Sequence, residues 1–136
     1  MKETRAKEYT DHFEHMEITL KGLPEWPSSS AIRQADLEII HSCIDEALNV
    51  ARMILKDLGH ELADDKQNME TLQEEFILTD AMMDRMSEAL AFKDLTISGA
   101  LGLDGIILME KIEHVKFTLI ELMDLFKEVI EDDLAD

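Results

Sequence analysis

The sequence predicts an all-α protein, a four-helix bundle with helices at about 3–21, 31–58, 66–92 and 104–132 in up-down-up-down order. Three observations support this fold class. Apolar residues recur every three or four positions over most of the chain. The two prolines and five glycines stand at or near the ends of these periodic segments. No segment alternates apolar and polar residues between hairpin turns, so strands are not expected.

The length and composition favour a single domain, 1–136. The chain has 136 residues, of which 46% are hydrophobic. A domain of this size buries about two thirds of its unfolded surface, which is enough for one hydrophobic core.

The first predicted helix has its apolar residues at successive steps of four, three and four, namely Tyr9, Phe13, Met16 and Leu20. Gly22 and Pro24 are expected to end it, the glycine by permitting a left-handed cap and the proline by lacking an amide hydrogen. The connection that follows contains the only tryptophan, Trp26. We expect Trp26 to pack as a lid over the end of the bundle.

The second and third helices have similar start and stop signals. The serines at 28–30 are candidate N-caps for the second helix, and Gly59 ends it. Its predicted core positions are Leu37, Ile40, Ile44, Ala47, Ala51, Ile54 and Leu58. Asp64 or Asp65 is expected to cap the third helix. The predicted core positions of the third helix are Met69, Leu72, Phe76, Thr79, Met83, Met86 and Leu90.

The fourth helix is predicted to follow a glycine-containing packed turn at 95–105. Its apolar positions form one stripe along the helix, namely Leu108, Ile112, Val115, Leu119, Leu122, Phe126 and Val129. At 1.5 Å per residue a helix of this extent is roughly 40 Å long. It therefore requires other long helices beside it, and it is expected to organise the bundle.

The charge restricts the classes of partner. With 31 acidic and 13 basic residues the chain has a formal net charge of −18, spread along its length. Such a surface repels phosphate backbones and anionic lipid, so neither direct nucleic-acid binding nor membrane binding is expected. No uncharged apolar run approaches the ~18 residues of a membrane span. A lone cysteine, Cys43, favours a reducing, cytoplasmic location.

Metal ligands are the sharpest chemical candidates, although no cofactor is expected. Glu38 and His41 form a Glu-x-x-His step, which in di-iron bundles places two ligands on one helix face. A second such step is missing, and Glu38 is predicted to face outward. His12 and His15 are spaced to pinch a divalent ion at the surface, but they lack a fixed third ligand. A histidine at the edge of the core with a surface carboxylate is therefore favoured at His41 and Glu38, and solvated polar residues are favoured at His12 and His15. No catalytic residue is predicted.

Apolar residues off the core stripes indicate either an interface with another protein or coverage by a packed loop or a wide inner face of the bundle. These residues are Ile77, Leu78, Met82, Phe92, Phe117 and Ile120. Bulky apolar side chains on second faces of two helices are typical of a buried contact, and a homodimer is the commonest way to form one. Carboxylates around this surface would attract a basic or amphipathic helix of a protein partner.

The function favoured by the sequence is therefore a non-enzymatic protein-binding module, an acidic homodimeric adaptor or a chaperone-like bundle. In size, acidity and helical content the chain is similar to small cytosolic chaperones of flagellar and type III export systems. One alternative is a metal-binding bundle with an oxidase or storage role, seeded by Glu38 and His41. A further alternative is an acidic mimic of nucleic acid.

Overall fold

A computed structural model describes residues 2–23, 34–98 and 105–134, and within these ranges it contains helices and no strand. The elements are α1 (Glu3–Lys21), α2 (Gln34–Asp57), α3 (Asp65–Glu74), α4 (Asp80–Ser98) and α5 (Gly105–Val129), which continues into a π-helical turn (Ile130–Leu134). The all-α prediction is confirmed. The prediction of four helices is wrong, because two helices, α3 and α4, occupy the place of the third predicted helix. The predictions for Trp26, for the serines at 28–30 and for residues 99–104 of the turn concern residues outside these ranges. The start of the turn predicted at 95–105 is wrong, because residues 95–98 form the end of α4.

Helix α2 is the central element of the fold. It packs against α1, α3, α4 and α5, whereas α5 packs mainly against α2, α4 and its own π-helical turn. The side chains of Ile40, Ile44 and Ile54 on α2 have no exposed surface. The expectation that the last helix organises the bundle is therefore corrected: α5 lies along one side of α2. No described helix is both long enough and apolar enough to cross a membrane.

Helix α1 has the predicted bounds, and all four of its predicted core residues are buried. Its end differs in detail from the expectation. Gly22 has φ −73° and ψ −10°, a right-handed conformation, and its amide donates to the carbonyl oxygen of Thr19. The glycine is therefore not needed here for a left-handed cap.

A polar network joins the start of α1 to the end of α2. Arg5 Nε and Tyr9 Oη both donate to Asp57 Oδ2, at 2.9 and 2.5 Å. Partial burial raises the pKa of Asp57, but the hydrogen bonds from Arg5 and Tyr9 outweigh it and hold that pKa below its ordinary value. Because the Tyr9 ring is buried, this network fixes how α1 lies on α2.

Helix α2 ends in a Schellman motif at Gly59. The amide of His60 donates to the carbonyl oxygen of Leu55, and the amide of Gly59 donates to that of Lys56. Gly59 has φ +89°, a backbone conformation that costs glycine little. The loop that follows is held by the buried Asn68, whose side-chain amide bonds both the amide and the carbonyl of Ala63.

Helix α3 ends in the same motif, but with Phe76 at the left-handed position. The amides of Phe76 and Ile77 donate to the carbonyl oxygens of Gln73 and Leu72, and Phe76 has φ +61°. Three residues after Phe76, Thr79 caps α4, since its Oγ1 accepts from the amide of Met82 at 3.1 Å. Phe76 and Thr79 were predicted to lie in the core, but Phe76 is 95% exposed and Thr79 is exposed.

Candidate functional site

His41 lies where α2 meets the last turn of α4. Its Nε2 is 2.6 Å from Oγ1 of Thr96. The Thr96 hydroxyl also lies 3.0 Å from the carbonyl oxygens of Phe92 and Lys93. In the tautomer of His41 with its proton on Nε2, the ring donates to Thr96 Oγ1, and the one hydroxyl proton is directed at these two carbonyl oxygens. In that tautomer the lone pair of the imidazole is on Nδ1, which has no hydrogen bond to a described residue.

A lysine ammonium lies one helical turn from this contact. Lys93 Nζ pairs with Oδ1 of Asp45, and the Lys93 side chain is only 21% exposed. Asp45 follows His41 by four residues on α2, and Thr96 follows Lys93 by three on α4, so each pair occupies one helix face. The four side chains thus form a compact polar cluster across the α2–α4 contact, which we call the His41 cluster.

The environment of His41 keeps its imidazole neutral near pH 7. Burial lowers the pKa of His41, and the positive charge of Lys93 lowers it further, while Asp45 and Glu38 act in the opposite direction. The net result is a pKa below the ordinary value near 6.5. The ring is therefore a proton acceptor at neutral pH.

The metal site considered at Glu38 and His41 does not form in this arrangement. Glu38 is exposed and affects His41 only through its charge, while the hydrogen bond of His41 goes to Thr96. Among the described residues no three side chains of His, Cys, Asp or Glu are placed to hold a metal ion together.

The structure brings His12 and His15 together with Glu46 of α2. His12 Nδ1 is 3.1 Å from Oε1 of Glu46, and His15 Nδ1 is 2.5 Å from Oε2. Asn49 Nδ2 lies 3.5 Å from the other ring nitrogen of His12. Because the Glu46 carboxylate contacts both imidazole rings, this cluster fixes the contact of α1 with α2. The His15 side chain is 60% exposed.

The six residues predicted to form a partner interface divide into two groups. Ile77, Leu78, Met82 and Phe92 are at most 8% exposed, because they pack into the core of this single chain. Phe117 is 57% exposed on α5, and Ile120 is half-buried. Of these six residues, only the two on α5 therefore present apolar surface to solvent.

A groove of about 380 Å³ runs between α4 and α5 beside the last turns of α4. Phe92, Leu95 and Val115 supply its apolar surface, and Lys111 and His114 stand at its rim. His114 Nε2 is 3.2 Å from Oε2 of Glu88 across the groove. Phe92 and Leu95 of the groove immediately precede Lys93 and Thr96 of the His41 cluster on α4.

Cys43, two residues from His41, does not contribute a nucleophile. Its side chain is fully buried, and burial raises the pKa of the thiol to about 12. A thiol in that state is unreactive at neutral pH, as its apolar neighbours in the sequence predict.

The chain is similar to a protein of the archaeon Archaeoglobus fulgidus named as a "Putative RNase". The two are 21% identical over 127 residues, which span 93% of this chain and 96% of the archaeal protein. No family model matches the chain, and no solved structure matches it. The likeness overturns the prediction of a non-enzymatic adaptor, since the archaeal protein is named for an enzymatic activity on nucleic acid.

Proposed function

We propose that this protein is an RNA-cleaving enzyme and that the His41 cluster is its active site. The observation that carries the proposal is a neutral, oriented imidazole beside a lysine ammonium. These are the two groups that cleavage of RNA by its own 2′-hydroxyl requires, a proton acceptor and a positive charge for the phosphate. The name of the archaeal relative, which aligns with nearly the whole chain, supports the same substrate class.

In this reaction Nδ1 of His41 accepts the proton of the 2′-hydroxyl, and the 2′-oxygen attacks the adjacent phosphorus. The bond from phosphorus to the 5′-oxygen then breaks. The proton held by His41 returns through water to the departing 5′-oxygen. The products are a 2′,3′-cyclic phosphate and a free 5′-hydroxyl. The reaction changes no oxidation state and so consumes no oxidant.

Lys93 and Thr96 have separate roles in this scheme. The Lys93 ammonium neutralises the charge that grows on the phosphate oxygens, and substrate binding separates it from Asp45. Thr96 is a positioning residue, because it touches the ring and not the substrate. The α4–α5 groove offers Lys111 and His114 for contacts with the next nucleotide.

The proposal is tested with a labelled single-stranded RNA of mixed sequence, with EDTA present throughout. We expect the wild-type protein to cleave it and to leave 2′,3′-cyclic phosphate ends. His41→Gln should lower the rate about 10²–10⁴-fold, the usual contribution of a general base. Lys93→Ala should lower it by a similar order, because one well-placed donor to a developing charge contributes about 10²–10³-fold.

His60→Gln is the matched control, since His60 lies beyond the far end of α2 and pairs with Glu75. It should keep the wild-type rate. An all-deoxy strand of the same sequence should stay intact, because it has no 2′-hydroxyl. Equal activity in wild type and His41→Gln, or cleavage of the deoxy strand, would refute the proposal.

A further inference from the structure

Phe76 has two properties that a phenylalanine rarely combines. Its side chain is 95% exposed, and its backbone has φ +61°, a conformation that L side chains disfavour. The ring buries almost no surface of its own chain. The left-handed conformation closes the Schellman hydrogen bonds, but it is unfavourable for a residue with a β-carbon. Strain of this kind is found mainly at functional positions.

The ring is also held rigidly in place. The preceding residues end α3, and the amides of Phe76 and Ile77 are fixed by the Schellman hydrogen bonds. Ile77 and Leu78 are buried, so the backbone directly after the ring is anchored in the core. Phe76 therefore projects from a fixed turn, and Glu74 and Glu75 flank it on the N-terminal side.

The same chain contains a pocket of matching size and chemistry between α1 and α5. Its volume is about 210 Å³, and Leu20, Ile120 and Met123 form its apolar surface. A cavity of about 150 Å³ with aliphatic walls holds one benzene ring. The volume of this pocket, which we call the α1–α5 pocket, is therefore large enough for a phenyl ring.

The rim of the α1–α5 pocket is complementary in charge to the Phe76 turn. Lys21 and Lys116 stand at the rim with Glu17 and Asp124. Glu17 is neutralised by Lys127, whose Nζ lies 2.8 Å from Oε1 of Glu17. The two lysines thus outnumber the one remaining carboxylate, in a chain whose formal charge is −18.

We infer that the protein self-associates, with Phe76 of one copy inserted into the α1–α5 pocket of a second copy. Glu74 of the first copy then lies opposite Lys21 and Lys116 of the second, beside Glu75, whose carboxylate also lies 3.2 Å from Nε2 of His60 in its own chain. Burial of an aromatic anchor in a fitted pocket is typical of the residues that dominate interface energetics. This contact is independent of the proposed RNA cleavage.

The inference is tested by light scattering over a range of protein concentrations. Wild type should associate, and Phe76→Gly should remain monomeric at concentrations where wild type does not. Glycine suits the backbone of residue 76, so this variant should fold at least as stably as wild type. Ile18→Ala is the matched control, because Ile18 is 71% exposed and lies outside the pocket, and it should associate like wild type.

A mixing experiment separates this contact from other modes of association. Lys21→Glu combined with Lys116→Glu disables the pocket and keeps the ring, whereas Phe76→Gly removes the ring and keeps the pocket. Each variant alone should be monomeric, and an equimolar mixture should form heterodimers through the one intact contact. A monomeric wild type, unchanged association of Phe76→Gly or a mixture that stays monomeric would overturn the inference.

Discussion

At the scale of single residues, the backbone at Phe76 predicts a stabilising substitution. Phe76→Gly should raise the free energy of unfolding of the monomer by about 1 kcal/mol. A non-glycine residue in the left-handed region costs roughly 1–2 kcal/mol, and the greater freedom of glycine in the unfolded chain offsets part of this gain. Urea denaturation at a protein concentration low enough to keep wild type monomeric measures the change.

Phe76→Ala is the control for this prediction. Alanine removes the ring but keeps the β-carbon that makes φ +61° unfavourable. Its free energy of unfolding should therefore stay within about 0.5 kcal/mol of wild type, as is usual for exposed positions. If alanine stabilised the chain as much as glycine, loss of the ring and not relief of the backbone would be the cause.

The residues of the candidate site show what a sequence can and cannot reveal. His41, His12 and His15 were identified from the sequence as residues with chemical potential, but their partners were not. Thr96 is 55 positions from His41, and Glu46 is 34 positions from His12. Spacing within one helix reports only which side chains share a face of that helix, whereas the packing of α4 on α2 decides which residues meet.

At the scale of elements, the short connection between α3 and α4 depends on its cap. Thr79→Ala should lower the free energy of unfolding by about 1 kcal/mol, the usual cost of losing an N-cap side chain, because the amide of Met82 loses its acceptor. Thermal and urea unfolding followed by circular dichroism measure the loss.

Thr10→Ala is the matched control for the cap. Thr10 is exposed within α1, and its hydroxyl donates a hydrogen bond to the carbonyl oxygen of Ala6. That carbonyl lies one turn earlier in the same helix. Alanine has the higher helix propensity, so this variant should be neutral or slightly stabilising. A cap contribution is excluded if Thr79→Ala and Thr10→Ala unfold at the same urea concentration.

The helix bounds were predictable where glycine marked the end and not elsewhere. Gly59 ends α2 close to the expected position, and the same hydrogen-bond motif ends α3 without a glycine. Because Phe76 occupies the left-handed position after α3, the apolar residues keep a spacing of three and four across the break between α3 and α4. The sequence pattern is therefore that of one continuous helix. The cap was visible in the sequence as Thr79 followed by Asp80, but the periodicity assigned Thr79 to the core.

At the scale of the whole molecule, net charge predicts an unusual salt dependence. A protein of charge −18 and RNA repel each other at long range, and salt screens this repulsion over a Debye length of about 30 Å at 0.01 M and about 10 Å at 0.1 M. The rate of RNA cleavage at low substrate concentration should therefore rise between these salt concentrations. Basic nucleic-acid proteins show the opposite trend.

The measurement is the initial rate of wild type after subtraction of the His41→Gln rate at each salt concentration. A rate that falls steadily from the lowest salt would show that local cations such as Lys93 and Lys111 govern the approach of RNA. The net charge of the whole chain predicts no direct binding of nucleic acid. The net charge is a sum over the whole surface, whereas the electrostatic potential at one site depends mainly on the few charged groups within a Debye length of it.

The burial of Cys43 in the central helix has a practical consequence for labelling studies. The chain contains a single cysteine, and its side chain has no exposed surface in the folded state. A thiol reagent can reach it only when the packing around α2 opens, so the alkylation rate of the unmodified protein reports how often the core opens. A second cysteine placed at an exposed position would react first, which allows a fluorophore to be attached without removing the native residue.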